Sequence, residues 1–230
     1  MLLLAIGFPL SLWAWSSWHF QTWEPGSSIS GYYHAETEWV RDHFVGVLSA
    51  IGICLIAYHG FTGWENRLLN IAGLAVIGVA MFPTGIEQAP RMTLSESSAA
   101  RQTDSLQADP LQLDPLQLIS PHGVCAGLFF LCLAAVALTQ SEHSLRLIED
   151  ESVRRRFSRT YRVIGVLMVC LPAAAWATLW LAKRHWGIFA VEALGVLTFA
   201  GYWFTKTLEF RGTNGEPEAI LLGSAADEAS

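Results

Sequence analysis

Five residues in this chain have side chains that could do chemistry at one membrane edge. Asp42 and His43 open one apolar run, His122 opens another, His185 precedes a third, and Glu192 lies about one turn inside that third run. If the three runs are helices entering from one side, three imidazoles and two carboxylates share a depth. That donor set suits zinc. His43, His122 and His185 would ligate it, and Asp42 or Glu192 would orient a ligand or act as general base toward a metal-activated water. An ionisable side chain within a membrane span points to function, and Glu192 is the clearest case. The plainer reading is set against this. Asp42 caps a helix, Glu38 and Arg41 form a surface pair, Glu192 pairs with Lys183 or Arg184, and the histidines are interfacial. No two histidines stand at i,i+3 or i,i+4, so no local metal motif exists.

The segment before Asp42, SISGYYHAETEWVRD, concentrates aromatic and polar residues. Ser30, Tyr32, Tyr33, Trp39 and Arg41 are the residues that would contact a lipid or small-molecule ligand from an outward lid. Glu36 and Glu38 stand beside them.

The elements that must position these residues follow from composition. Of 230 residues, 52% are hydrophobic and 15% charged, with ten tryptophans. A soluble domain of this size carries about a quarter charged residues. The few charges cluster between long apolar runs, the pattern of a polytopic membrane protein. The net charge of −6 gives no basic surface for nucleic acid. All four cysteines, Cys54, Cys125, Cys132 and Cys170, fall inside apolar runs with no CxxC spacing, so neither a disulfide framework nor a zinc ribbon is indicated.

The runs predict an all-α bundle of six transmembrane helices in residues 1–211, at about 2–18, 43–60, 67–83, 122–139, 163–182 and 188–206. The first carries no charge, lacks the basic start of a signal peptide, and has Pro9 at its middle. The second spans roughly 27 Å, enough to cross. Ala72, Gly73, Ala75, Gly78 and Ala80 in the third would let a neighbour approach closely. Between helices three and four, residues 84–120 hold three pentads, DSLQA, DPLQL and DPLQL, whose period of five fits neither helix nor strand. They read as a low-complexity outward loop. The tail 212–230 is acidic, rich in small residues, and reads as disordered and cytoplasmic.

Basic residues set the orientation. With the arginine-rich loop 140–162 inside, nine basic residues collect there and five opposite. The positive-inside rule then places both termini in the cytoplasm of a bacterial inner membrane, with 19–42 and 84–120 outward. Other chemistries fare worse. GSSISG lacks the glycine spacing of a nucleophile elbow. A haem would need His43 and His59 on one face of helix two, but sixteen residues turn the helix by roughly 160°.

Taken together, SISGYY, RDHFVGVL, LIAYHG, LLNIAGLAVIGVAMFPT, PHGVCAGLFF, RTYRVIGVLM and FAVEALGVLTFAGYWFTK resemble an uncharacterised group of small bacterial six-helix inner-membrane proteins. The resemblance covers nearly the whole membrane part and draws attention to Ser30, Tyr32, Tyr33, Arg41, Asp42, His122 and Glu192. A thinner similarity is to the alkaline-ceramidase-like membrane hydrolases, which combine a serine, an aspartate and three histidines at one membrane edge. Their paired HxxxH is absent here, and they have seven helices where six are counted.

The expectation is a non-catalytic, or lipid- or small-molecule-binding, membrane protein with an outward polar edge. The alternative is a metal-dependent hydrolase of a lipid amide or ester, with zinc as its cofactor. A transporter is disfavoured, because no internal repeat is present.

Overall fold

The computed structural model describes residues 1–20, 28–35, 37–60, 62–82, 120–143, 145, 150–182 and 187–213. The pentad loop apart from Ser120, the tail beyond Thr213, and Glu36, Lys183, Arg184 and His185 lie outside these residues. Among the described residues there are six α-helices and no strand: α1 (Leu2–Phe20), α2 (Glu38–Ala57), α3 (Gly63–Met81), α4 (Pro121–His143), α5 (Glu151–Ala182) and α6 (Gly187–Thr213). A single turn of 3-10 helix, Ser30–His34, stands between α1 and α2.

Each helix packs on its neighbour in the chain, and α6 returns to α1, so the six close into a ring. The buried positions show why. On α2, Phe44, Leu48, Ile51 and Leu55 recur every three to four residues and face inward. Leu69, Ala72, Val76 and Ala80 do the same on α3. The opposite faces are also apolar. Leu3 is 85% exposed, Ile53 61%, Leu74 64% and Leu131 58%. Large apolar side chains therefore lie on the outer faces of the helices as well as on the inner ones. By length and composition, Glu38–Ala57 and Pro121–Thr139 are long and apolar enough to cross a membrane.

Glycine decides how closely α2 and α3 meet. A Cβ on Gly52 would lie 2.7 Å from the Gly73 carbonyl oxygen, and one on Gly73 would lie 2.7 Å from the Gly52 oxygen. Only hydrogen fits between these backbones, so the pair sets the interhelical distance that the small residues of α3 led us to expect.

Helix ends depart from the sequence expectation for identifiable reasons. α2 begins at Glu38 after Thr37 in extended conformation, five residues before the expected 43, so Asp42 lies inside the first turns and is not the cap. α3 begins after Thr62, whose Oγ1 accepts from Glu65 N–H at 3.1 Å. α5 begins at Glu151 instead of 163, so the arginine-rich stretch is helix. Its start is held by Asp150, whose Oδ1 accepts from Ser152 N–H at 2.8 Å and Ser152 Oγ at 2.7 Å. Arg155 pairs with Glu151 one turn away at 2.7 Å. α6 continues past the expected 206 to Thr213.

Candidate functional site

The polar edge is built from three segments. Ser28 to Ser30 enter the short 3-10 helix, α4 brings His122 on its first turn, and α6 brings Glu192 from five residues inside its start. The Glu192 carboxylate is the hub. Its Oε2 accepts from Ile29 N–H at 2.5 Å and from Ser28 Oγ at 3.0 Å, and its Oε1 accepts from Ser30 Oγ at 2.5 Å. Ser28 Oγ in turn accepts from Gly31 N–H at 3.2 Å. A partly buried carboxylate needs donors on both oxygens, and this segment supplies them from one main-chain and two hydroxyl groups.

His122 extends the chain of contacts. Its Nδ1 donates to the Phe82 carbonyl at 2.8 Å, and its Nε2 lies 3.1 Å from Ser30 Oγ. Phe82 is the C-cap that follows α3, so its carbonyl has no partner further along that helix. One network thus ties the 3-10 segment to the ends of α3, α4 and α6. Tyr32, fully buried, wedges edge-on between Trp15 of α1 and Phe189 of α6. Trp39 meets Trp15 edge-on at 6.0 Å while remaining 54% exposed.

The next residue, Tyr33, faces elsewhere. It lies edge-on to Phe44 and lines an open groove of about 370 Å³ with Arg41, Asp42, Val45, Gly46, Ala80 and Met81. The charged residues come from the first turn of α2, the apolar ones from its next turn and from the end of α3. Arg41 Nη2 sits 3.4 Å from Asp42 Oδ1, and the two side chains are 46% and 70% exposed. Arg41 therefore reaches Asp42 and not the expected Glu38. The sequence-selected residues consequently divide. Ser30, His122 and Glu192 form the buried network, Tyr33, Arg41 and Asp42 rim the groove, and Tyr32 and Trp39 support the segment between.

The expected zinc ligands do not converge among the described residues. His43 Nε2 pairs with Ser11 Oγ at 2.8 Å, and its ring lies against Phe8. His122 has both ring nitrogens engaged, and His185 lies outside the described residues. No three His, Cys, Asp or Glu side chains gather as metal ligands within the described part.

Two features escaped the sequence reading. Ser28, a plain loop serine in the sequence, also donates its hydroxyl to the Glu192 carboxylate, at 3.0 Å from Oε2. At the other end of the bundle, Lys206 and Glu209 of α6 are almost wholly buried and pair at 3.2 Å, and Tyr161 of α5 donates its hydroxyl to the same Glu209 oxygen. Lys206 also lies over the Phe210 ring, 4.8 Å from its centre. The i,i+3 spacing of Lys206 and Glu209 is visible in the sequence, but burial is not.

No protein-family model, no curated protein and no solved structure matches this chain.

Proposed function

We propose that the chain is a polytopic membrane protein whose six helices cross the bilayer and whose outward groove binds an amphiphile, a lipid or a lipid-like small molecule. The groove itself carries this reading. It is open, and its lining combines apolar Val45, Gly46, Ala80 and Met81 with polar Tyr33, Arg41 and Asp42. An apolar floor with a few polar groups at its edge is how proteins hold a ligand with one wet end. Exposed large apolar side chains on each of the six helices and the asymmetry of basic residues support the bilayer placement. The Ser28–Ser30 network then holds Tyr33 in position at the groove.

Gly46 offers a direct test. A Cβ there would meet nothing within 4 Å, so a large side chain can fill the groove without disturbing a helix contact. Native mass spectrometry of the detergent-purified protein should show retained lipid in the wild type and its loss in Gly46→Trp. Equal retention in both would refute the groove.

The metal-dependent hydrolase remains a second reading only through the Ser30–His122 contact, which places a hydroxyl beside an imidazole held by a carbonyl. It further requires His122 to exchange its present partners for a metal. About one zinc per chain in elemental analysis, lost in His122→Ala, would reverse the preference.

A further inference from the structure

The groove rim has a composition that selects a headgroup. Arg41 and Asp42 are adjacent on the first turns of α2, joined by a single 3.4 Å contact between Nη2 and Oδ1. That contact is long and solvent-exposed, so it contributes little to stability and yields readily to a better partner. It engages one of the five guanidinium N–H groups and one of two carboxylate oxygens. The rim therefore presents a fixed fork of donors and, beside it, an acceptor-only anion. One turn further along α2 come Val45 and Gly46, and Ala80 and Met81 from the end of α3 line the same groove. Along α2 the lining thus passes from charged to apolar within one turn, the order of polarity of a phospholipid from headgroup to chain.

We propose that the groove is a site for a phospholipid with a primary-ammonium headgroup, phosphoethanolamine, Arg41 binding the phosphate and Asp42 the ammonium. The proposal rests on the groove reading above and adds its chemical selectivity. A planar guanidinium takes a phosphate through two parallel hydrogen bonds. A carboxylate accepts hydrogen bonds from an ammonium N–H but none from a trimethylammonium, which has no N–H to give. Asp42 therefore discriminates against choline. It also discriminates against headgroups that carry only negative charge, because a second anion beside it is repelled. Tyr33, with an aromatic face and a hydroxyl, is the residue type that sits at headgroup depth. The pair is electrically neutral, so the site selects a zwitterion over an anion where a lone Arg41 would not.

The full-length protein would be reconstituted with equal amounts of phosphatidylethanolamine, phosphatidylglycerol and phosphatidylcholine, and the retained lipids counted by native mass spectrometry. The wild type is expected to retain phosphatidylethanolamine about tenfold over each of the others, the ratio that one charge-assisted contact of ~1.4 kcal/mol produces. Asp42→Asn should abolish the preference over phosphatidylglycerol, Asp42→Glu should keep it, and Arg41→Gln should weaken retention of all three. Retention in the wild type without headgroup preference, or a preference unchanged in Asp42→Asn, overturns the headgroup proposal and leaves the groove standing. Absence of retained lipid in the wild type, or full retention in Gly46→Trp, overturns the groove and the proposal with it. Both rim side chains are exposed, so a melting temperature within a few degrees of wild type confirms that each variant is folded.

Discussion

Glu192 shows how one side chain holds a loop. Its carboxylate accepts from Ile29 N–H and from the Ser28 and Ser30 hydroxyls, all from a stretch of three residues. Glu192→Ala leaves those three donors in a dry site without an acceptor, and we expect a loss of about 3 kcal/mol, since each orphaned donor costs about 1–3 kcal/mol. Glu192→Gln should cost less, because the amide oxygen still accepts from Ile29 N–H while the two hydroxyls can rotate to accept from the amide nitrogen. Thermal melts in detergent measure the loss, and hydrogen exchange over residues 28–34 locates it. Unchanged exchange there in the alanine variant would show that Glu192 does not hold the segment. The importance of Glu192 is legible in the sequence as a lone carboxylate in an apolar run. Its partners are not, because Ser28 and Glu192 are 164 positions apart and nothing local links them. Asp42 is the converse case. Its sequence position suggested a cap, but the helix begins a turn earlier and the residue belongs to the groove rim.

Among the elements, α2 and α3 are the most tightly specified pair. Gly52→Ala would place a Cβ 2.7 Å from the Gly73 oxygen and 2.6 Å from Ile77 Cγ1. Backbone cannot yield as a side-chain tip can, so the helices must part, and we expect a destabilisation of about 2 kcal/mol by thermal melt. Gly46→Ala, facing open space, serves as the neutral control. The start of α5 responds to pH. Hydrogen bonds from the Ser152 hydroxyl and the Ser152 and Val153 amides hold the Asp150 carboxyl below the usual carboxylate range. A depressed folded value means that the cap contributes above the ordinary aspartate range, about pH 4, and is lost as pH falls through the lowered value. Amide exchange at Ser152 and Val153, corrected for intrinsic rate, should therefore remain protected at pH 5 and lose protection only well below pH 4. Asp150→Ala should remove the protection at every pH. The arginines of this stretch looked like loop in the sequence because charge density was taken as the end of a helix. A helix can carry charges beyond its apolar part without difficulty, because arginine is a good helix former and pairs one turn away, as Arg155 does with Glu151.

Among the described residues the six helices form a ring with a polar network towards each end, and α6 reaches both. The Glu192 network lies near its start, and Lys206 with Glu209 lies 14 to 17 residues later, roughly 21–26 Å along the axis. The distant pair belongs to the bundle's stability. Lys206→Met leaves Glu209 buried with the Tyr161 hydroxyl but without its cation, and we expect a loss of about 3 kcal/mol. Lys206→Met combined with Glu209→Leu removes both charges, and most of that loss should return. A double-mutant cycle from melting curves measures this, and additive losses would show that the two residues do not act as a pair.

The sequence by itself indicated the order of the six helices among the described residues, because each long apolar run without strand-like alternation favours a helix that satisfies its own backbone. It also singled out Ser30, Tyr33, Arg41, Asp42, His122 and Glu192, since polar side chains at the margins of apolar runs are conspicuous whatever they do. Only the tertiary structure sorted them. Ring closure by α6 against α1 brings Glu192 beneath Ser28 and Ser30, and the packing of α3 on α4 brings the Phe82 carbonyl to His122. The 3-10 turn then carries Tyr32 into the core and Tyr33 out to the groove, one residue apart. Those assignments depend on contacts between segments far apart in the chain, which periodicity within a segment does not encode.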